Sequence, residues 1–230
     1  MTAKLYIVAT PIGNLQDITL RAIETLKSVD IIACEDTRHT KTLLNAYDIR
    51  TSLISYFEHN KIKRSKEIIQ MLNSGKSVAL VSDAGTPGIS DPGYRLIHDA
   101  IASGIEVVTI PGPNAAIAAL AVSGLATDKF LFEGFLPPKT QARRKRLQAL
   151  SKEERTIILY ESPHRILRAL SDIKDVLGDI FIVCTRELTK KFEEIRREPV
   201  SELLEHFTAE KPQGEFVLLF DLRPQKRVSV

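Results

Sequence analysis

The sequence predicts an α/β fold of two domains built on mainly parallel or mixed sheets. Short apolar, β-rich runs alternate with amphipathic helical segments along the whole chain. The alternation halts at Pro111-Gly-Pro113 and then begins again. Runs such as residues 77–81 are almost continuously apolar, as in strands covered on both faces.

In chain order, residues 5–9 read as a strand and Thr10-Pro-Ile-Gly-Asn14 as a turn. A helix follows over 17–29 with Asp17 as N-cap, then a strand at 31–34 ending in Glu35-Asp-Thr-Arg38. A helix at 40–47, a strand at 53–57 and an amphipathic helix at 62–72 come next, the last closed by Asn73-Ser-Gly75. Strand 77–81, helix 91–103 stopped by Gly104, and strand 106–110 complete the first half. The second half predicts an alanine-rich helix at 114–123, a strand at 130–135, a basic helix at 141–150 and a strand at 156–160. Pro163 opens a helix that Gly178 ends. Strands at 180–185 and 194–197, a helix at 200–207 and a closing strand at 216–222 finish the order. The boundary falls near 112–125, giving domains of 1–113 and 114–230. Lys226 and Arg227 are expected in a frayed tail.

With 43% hydrophobic and 27% charged residues, the chain can build an ordinary core. No apolar run approaches the ~20 residues of a membrane span. The first residues read as a strand and lack a signal peptide's features, so the protein is expected to be cytoplasmic. Cys34 and Cys184, the two cysteines, sit in apolar runs and are expected buried and reduced. No His, Cys and carboxylate cluster has metal-ligand spacing, and no metal is expected. A net charge of +3 is too mild to prove a nucleic-acid partner, so the distribution of charge matters more.

Three Gly- and Pro-rich loops each follow a predicted strand: Thr10-Pro-Ile-Gly-Asn-Leu15, the twelve residues from Ser82 to Gly93, and Pro111-Gly-Pro-Asn-Ala115. In open parallel sheets ligands collect at the carboxyl ends of strands, where such loops converge. Neither G-x-G-x-x-G nor the P-loop pattern is present, and Asp83 and Asp91 would repel a pyrophosphate. A ligand with hydroxyls, an adenine edge and a positive centre fits better, and S-adenosylmethionine has all three.

Tyr6-Ile-Val-Ala-Thr-Pro-Ile-Gly-Asn-Leu15, Ala33-Cys-Glu-Asp-Thr-Arg-His39, Leu80-Val-Ser-Asp-Ala-Gly-Thr-Pro87 and Ser90-Asp-Pro-Gly93 resemble the tetrapyrrole methylase superfamily. Within it they are similar to the ribosomal RNA small-subunit methyltransferase I branch. Glu133-Gly-Phe-Leu-Pro137, Tyr160-Glu-Ser-Pro-His-Arg165 and Arg186-Glu-Leu-Thr-Lys190 carry the likeness into the second half. The resemblance implies two α/β domains with S-adenosylmethionine held in the cleft between them, and a homodimer. It implies transfer to the ribose 2′-oxygen of a cytidine in small-subunit RNA, as free RNA or in the assembled 30S subunit. Carried over by position, the donor meets Pro11, Ser82, Asp83, Ala84, Gly85, Asn114, Ala115, Tyr160 and Glu161. Tetrapyrrole-modifying relatives have Gly-rich sequence where this chain has residues 10–15, which weighs against a tetrapyrrole substrate.

Transfer to a hydroxyl needs alignment and a proton acceptor. Glu35 or Asp36 can orient the ribose or take its proton, while Arg38 can hold a phosphate or pair with a neighbouring carboxylate. His164 can act as base or cap a helix. Glu187 and Lys190 end a third strand, where Lys190 can contact RNA, lower the hydroxyl pKa or stand in solvent. Lys139, Arg143, Arg144, Lys145 and Arg146 form a run that is either a solvated helix face or an RNA-phosphate contact, with Arg165 beside it. Arg64 and Lys66 extend this basic set, and Tyr56, Phe57 and Phe135 are the aromatics placed to stack a base. A small-molecule methylase and a non-catalytic RNA-binding assembly factor are the competing readings.

Overall fold

In the computed structural model, which describes residues 3–223, the chain divides into two compact units, one running to Asn114 and the other from Ala115. Lys226 and Arg227 lie outside the described residues. Among the described residues no helix is long and apolar enough to cross a membrane.

The first unit holds β1 (Lys4–Val8), β2 (Ile31–Cys34), β3 (Ser52–Ser55), β4 (Val78–Leu80) and β5 (Glu106–Ile110). They pair in the order β3-β2-β4-β1-β5, every pairing parallel. The helices are α1 (Leu20–Ser28), α2 (Thr37–Ala46), α3 (Lys61–Asn73) and α4 (Tyr94–Ala102). The two-residue period of a strand divides its side chains between the faces. Ile32, Cys34 and Ala79 pack with Leu26 of α1 and Leu43 and Leu44 of α2. Ala33, Val78 and Leu80 pack with Ile68 and Leu72 of α3 and Leu96 and Ala100 of α4. Both faces are therefore covered, and the loops after β1, β4 and β5 leave neighbouring strands at one edge.

The second unit holds α5 (Ala115–Ser123), β6 (Phe130–Phe135), α6 (Thr140–Leu150), β7 (Thr156–Glu161), α7 (Ile166–Leu177), β8 (Phe181–Arg186), β9 (Glu194–Pro199), α8 (Val200–Ala209) and β10 (Phe216–Phe220). Its sheet runs β6-β7-β10-β8-β9 and is mixed. β6 and β7 are parallel, β10 lies antiparallel between β7 and β8, and β8 and β9 form an antiparallel pair. Ile157, Leu159, Phe216, Leu218 and Phe220 face α6, α7 and α8, while Ile158, Val217 and Leu219 face α5. Cys34 and Cys184 are buried free thiols.

Four helix starts differ from the sequence expectation by more than one residue; α2 begins at Thr37, not Thr40, and α7 at Ile166, with Pro163 in the turn before it. The first helix begins at Leu20, because Thr19 accepts the Ala22 N–H at 3.1 Å and is the cap; Asp17 ends a 3₁₀ turn instead. The fourth begins at Tyr94, not near Asp91, because Gly93 packs on Gly88: a Cβ on Gly93 would lie 2.9 Å from the Gly88 Cα. Thr19→Ala is expected to cost about 1 kcal/mol in urea unfolding and Asp17→Ala less than about 0.5 kcal/mol, and the reverse order would contradict this cap assignment.

Candidate functional site

Backbone hydrogen bonds hold the three loops of the first unit together. Thr10 N–H donates to Gly85 O at 2.9 Å and Gly85 N–H to Thr10 O at 3.0 Å, an isolated bridge between the loops after β1 and β4. Gly85 has φ +79°, a conformation costly for other L-residues. The Thr10 hydroxyl donates to Ser82 O at 3.1 Å. The third loop is tied in where the Thr86 hydroxyl donates to Pro113 O at 3.2 Å. A Cβ on Gly112 would lie 3.1 Å from that of Ala9, so the loops after β1 and β5 approach as closely as glycine allows.

Pro11, Ser82, Asp83, Ala84, Gly85 and Asn114 are thus brought together, in a manner that corrects how two of them can serve. Pro11 is buried, and the buried Ser82 hydroxyl is directed inward at Ala84 O (3.2 Å) and Gly85 O (3.4 Å). These two shape the loops. Asp83 is half-buried, and its Oδ1 accepts the Asp36 N–H at 3.1 Å, linking the ends of β4 and β2.

Acidic groups gather at those two strand ends. Burial first, then the charges of Asp83, Asp91 and Glu58, push the Glu35 carboxyl above its ordinary range. Asp36 goes the other way: hydrogen bonds from the Arg38 side chain and N–H hold it at about 2. Its Oδ1 caps α2 by accepting the Arg38 N–H at 2.8 Å, and its Oδ2 meets Arg38 Nη2 at 3.0 Å. A carboxylate so stabilised has little tendency to take up a proton, which weighs against Asp36 as a base. Arg38 forms the expected ion pair and stays highly exposed.

In the second unit the structure brings together Tyr160, Ala115 and the start of α5. The Tyr160 hydroxyl accepts the Ala116 N–H at 3.1 Å, and its ring meets Phe132 and Phe135 edge-on. Glu161 is only 3% exposed; its Oε1 accepts the Ser162 N–H at 2.8 Å and lies 3.3 Å from Arg165 Nε. Direct ligand contact through that carboxylate is thereby corrected to a role in shaping the loop, and burial pushes its pKa up. Arg165 also donates to Leu136 O, so it is not a free phosphate contact. His164 is exposed in the turn before α7 and caps nothing.

Glu187 and Lys190 form a pair. Lys190 Nζ donates to Glu187 Oε1 at 2.8 Å and Glu215 Oε2 at 2.9 Å, and Glu187 Oε1 also accepts the Glu215 N–H at 3.0 Å. Partial burial works against both charges. The hydrogen bonds outweigh it, lowering the Glu187 pKa and raising that of Lys190. Lys190 is therefore spent within the unit, contrary to the RNA-contact and solvent readings.

The basic run needs the largest correction. Arg143 is 2% exposed, pairs with Asp172 at 2.6 Å and donates to Pro138 O at 3.0 Å. It is a core ion pair and cannot reach RNA. Arg144 pairs with Asp172 and Asp175, and Arg146 pairs with Glu133. Lys139 and Lys145 remain exposed. Sequence reasoning missed Asp172, although a signal existed: an aspartate among Ile166, Ala169, Leu170 and Ile173 on the buried stripe of α7 demands a partner. It also missed Glu58 beside Glu35, for which no sequence signal exists. Tyr56, one of the proposed base stackers, is 1% exposed and unavailable. Arg64 pairs with Glu67.

Arg143→Ala is expected to destabilise the protein by about 3 kcal/mol in denaturant unfolding, because Asp172 is left buried with its best partner gone. Lys145→Ala should change stability by less than about 0.5 kcal/mol. Equal effects from the two would refute the core role of Arg143.

The profile of the tetrapyrrole (corrin/porphyrin) methylases matches residues 4–204. The chain is 53% identical to ribosomal RNA small subunit methyltransferase I of Synechocystis over 216 residues, 94% of this chain and 77% of that protein. It is 51% identical to the protein of the same name from Thermotoga maritima, covering 94% and 97% of the two chains. The solved structure of a diphthine synthase superposes with a TM-score of 0.77 at 14% identity over 95% of this chain and 90% of that one. A cobalt precorrin-4 methyltransferase of cobalamin biosynthesis does so with a TM-score of 0.70 at 18% identity over 94% of each. At those identities the structures speak for the fold alone, whereas the sequence matches decide the lineage. The chain belongs to the tetrapyrrole methylase family and, within it, to the group of ribosomal RNA small subunit methyltransferase I.

Proposed function

We propose that this chain is a cytoplasmic S-adenosylmethionine-dependent methyltransferase that modifies the ribose 2′-oxygen of a cytidine in small-subunit ribosomal RNA. The observation that carries the donor half of this reading is the tied set of loops at the ends of β1, β4 and β5. The RNA half rests on the names of the relatives.

The residues present fit the donor. Gly85 and Gly112 let the loops pack this closely on one another, and Asp83, Asp91 and Glu35 supply negative charge for a cationic ligand. Within the first unit we assign donor contacts to Asp83 and to the loop residues Pro11, Ala84, Gly85 and Asn114. Bound there, the donor supplies a methyl group on a positively charged sulfur that leaves as a neutral thioether. Holding the cation too tightly would slow transfer. The Asp36–Arg38 pair limits this by neutralising one charge on the rim. Glu35 takes the proton of the 2′-hydroxyl as the new O–C bond forms. Its raised pKa makes it a stronger base than an ordinary carboxylate, at the cost of losing the ionised form at a higher pH. Lys139 and Lys145, both exposed, bind phosphates.

Calorimetric titration with S-adenosylmethionine tests the first half. Asp83→Ala is expected to lose at least about tenfold in affinity, one charge-assisted contact being about 1.4 kcal/mol or more. Glu35→Gln should keep donor affinity but lower methyl transfer to small subunits lacking the modification by ~10²–10⁴-fold. In the parent, transfer should fall as the pH drops through the raised Glu35 pKa, and that acid limb should vanish in Glu35→Gln. No donor binding by the parent would falsify the methyltransferase reading and favour the assembly factor. Wild-type transfer by Glu35→Gln would remove Glu35 as base.

A further inference from the structure

Loop residues 187–193, between β8 and β9, are held rigidly yet present an aromatic ring to solvent. Glu187 and Thr189 have φ of +51° and +68°, values that non-glycine residues adopt only when their surroundings impose them. What imposes them is visible. Lys190 N–H donates to Glu187 O at 3.0 Å, Glu193 N–H donates to Lys190 O at 3.1 Å, and Glu193 Oε2 accepts the Thr189 N–H at 2.5 Å. The Lys190 ammonium clamps Glu187 to Glu215 across the base of the loop. Gly214 completes the fit, since a Cβ there would lie 2.3 Å from Glu187 Cδ.

Leu188 points into the core beside α5, whereas Phe192, 68% exposed, is the most exposed of the nine phenylalanines. Exposed Lys191 holds its ammonium 5.6 Å from the Phe192 ring centroid. A strained loop that presents an exposed aromatic ring with a cation beside it matches what an unpaired nucleotide offers, a base face and a phosphate.

The surrounding edge has the same character. β8 runs parallel to β7 and β6, because the intervening β10 is antiparallel to both β7 and β8. The carboxyl end of β6, three strand spacings or about 14 Å away, carries Phe135, 51% exposed, and leads to exposed Lys139. One edge of the second unit therefore carries two exposed rings and two exposed lysines.

Building on the RNA-methyltransferase reading, we propose that Phe192 stacks on an unpaired base of the substrate RNA while Lys191 meets an adjacent phosphate, so that this loop selects single-stranded over duplex RNA. The test is fluorescence anisotropy of the full chain with a labelled single-stranded oligoribonucleotide, alone and annealed to its complement. Phe192→Ala should weaken single-strand binding about tenfold and leave duplex binding unchanged, and Phe192→Trp should restore it. Lys191→Ala should weaken both forms and reduce the salt slope of binding by about one. S-adenosylmethionine affinity and sedimentation behaviour should match the parent in all three variants. If the parent binds RNA and Phe192→Ala binds it equally well, the stacking role is wrong while the methyltransferase reading stands. If Phe192→Ala changes the sedimenting species, Phe192 belongs to a contact between copies and the proposal is overturned. A parent that binds donor but neither the oligoribonucleotide nor small subunits lacking the modification would undo the RNA reading itself, and this inference with it.

Discussion

The two hydrogen bonds between Thr10 and Gly85 are the constraint around which the first unit's binding edge is organised. β1 and β4 are neighbours in a parallel sheet, so the chain must leave both strands at the same edge and return over opposite faces. Loops that leave in parallel do not pair with each other by default. The short bridge at Thr10 and Gly85 pairs them anyway, and it needs a left-handed residue at Gly85 to do so. Once it forms, the Ser82 hydroxyl and the Thr10 hydroxyl have backbone partners within reach, and Thr86 can hold Pro113. The hydroxyls of Thr10, Ser82 and Thr86 are thereby consumed by the loops themselves.

Charge is used in two opposite ways in the two units. Around Glu35 burial acts first and the like charges of Asp83, Asp91 and Glu58 add to it, which together push its carboxyl above its ordinary range. Around Asp172 unlike charges are sealed together, with Arg143 buried beneath and Arg144 above. A sequence shows arginines at 143 and 144 as equals, but burial separates them completely. The first is part of the core that carries α6 on α7, and the second covers it.

The layered architecture was legible because strand and helix periods differ and because Gly104 and Gly178 end helices where expected. Strands 106–110 and 130–135 coincide with β5 and β6. Boundaries drifted where two signals competed, as Asp17 did with Thr19, or where contact between Gly88 and Gly93 kept a helical-looking segment in a loop. The antiparallel insertion of β10 was not legible, since an apolar run of five residues carries no strand direction. The loops of the candidate site were legible from glycine and proline alone. The roles of their side chains were not, because a partner such as Asp172 for Arg143, or Glu58 beside Glu35, is supplied by the fold from a distant part of the chain.

Backbone strain marks the same regions independently. Among the described residues, non-glycine positions with positive φ are Asp48, Ser90, Glu187 and Thr189. Ser90 lies in the long loop after β4, and Glu187 and Thr189 in the loop after β8, both at carboxyl ends of strands. Strain of about 1–3 kcal/mol per residue persists only where surrounding contacts outweigh it. At Glu187 those contacts are an ion pair, a backbone acceptor and a glycine that makes room. None of them is needed to form the core beneath, because Leu188 already anchors the loop there. Expenditure of that kind in a loop whose outermost side chains are Lys191 and Phe192 is best understood as fixing those two groups in space.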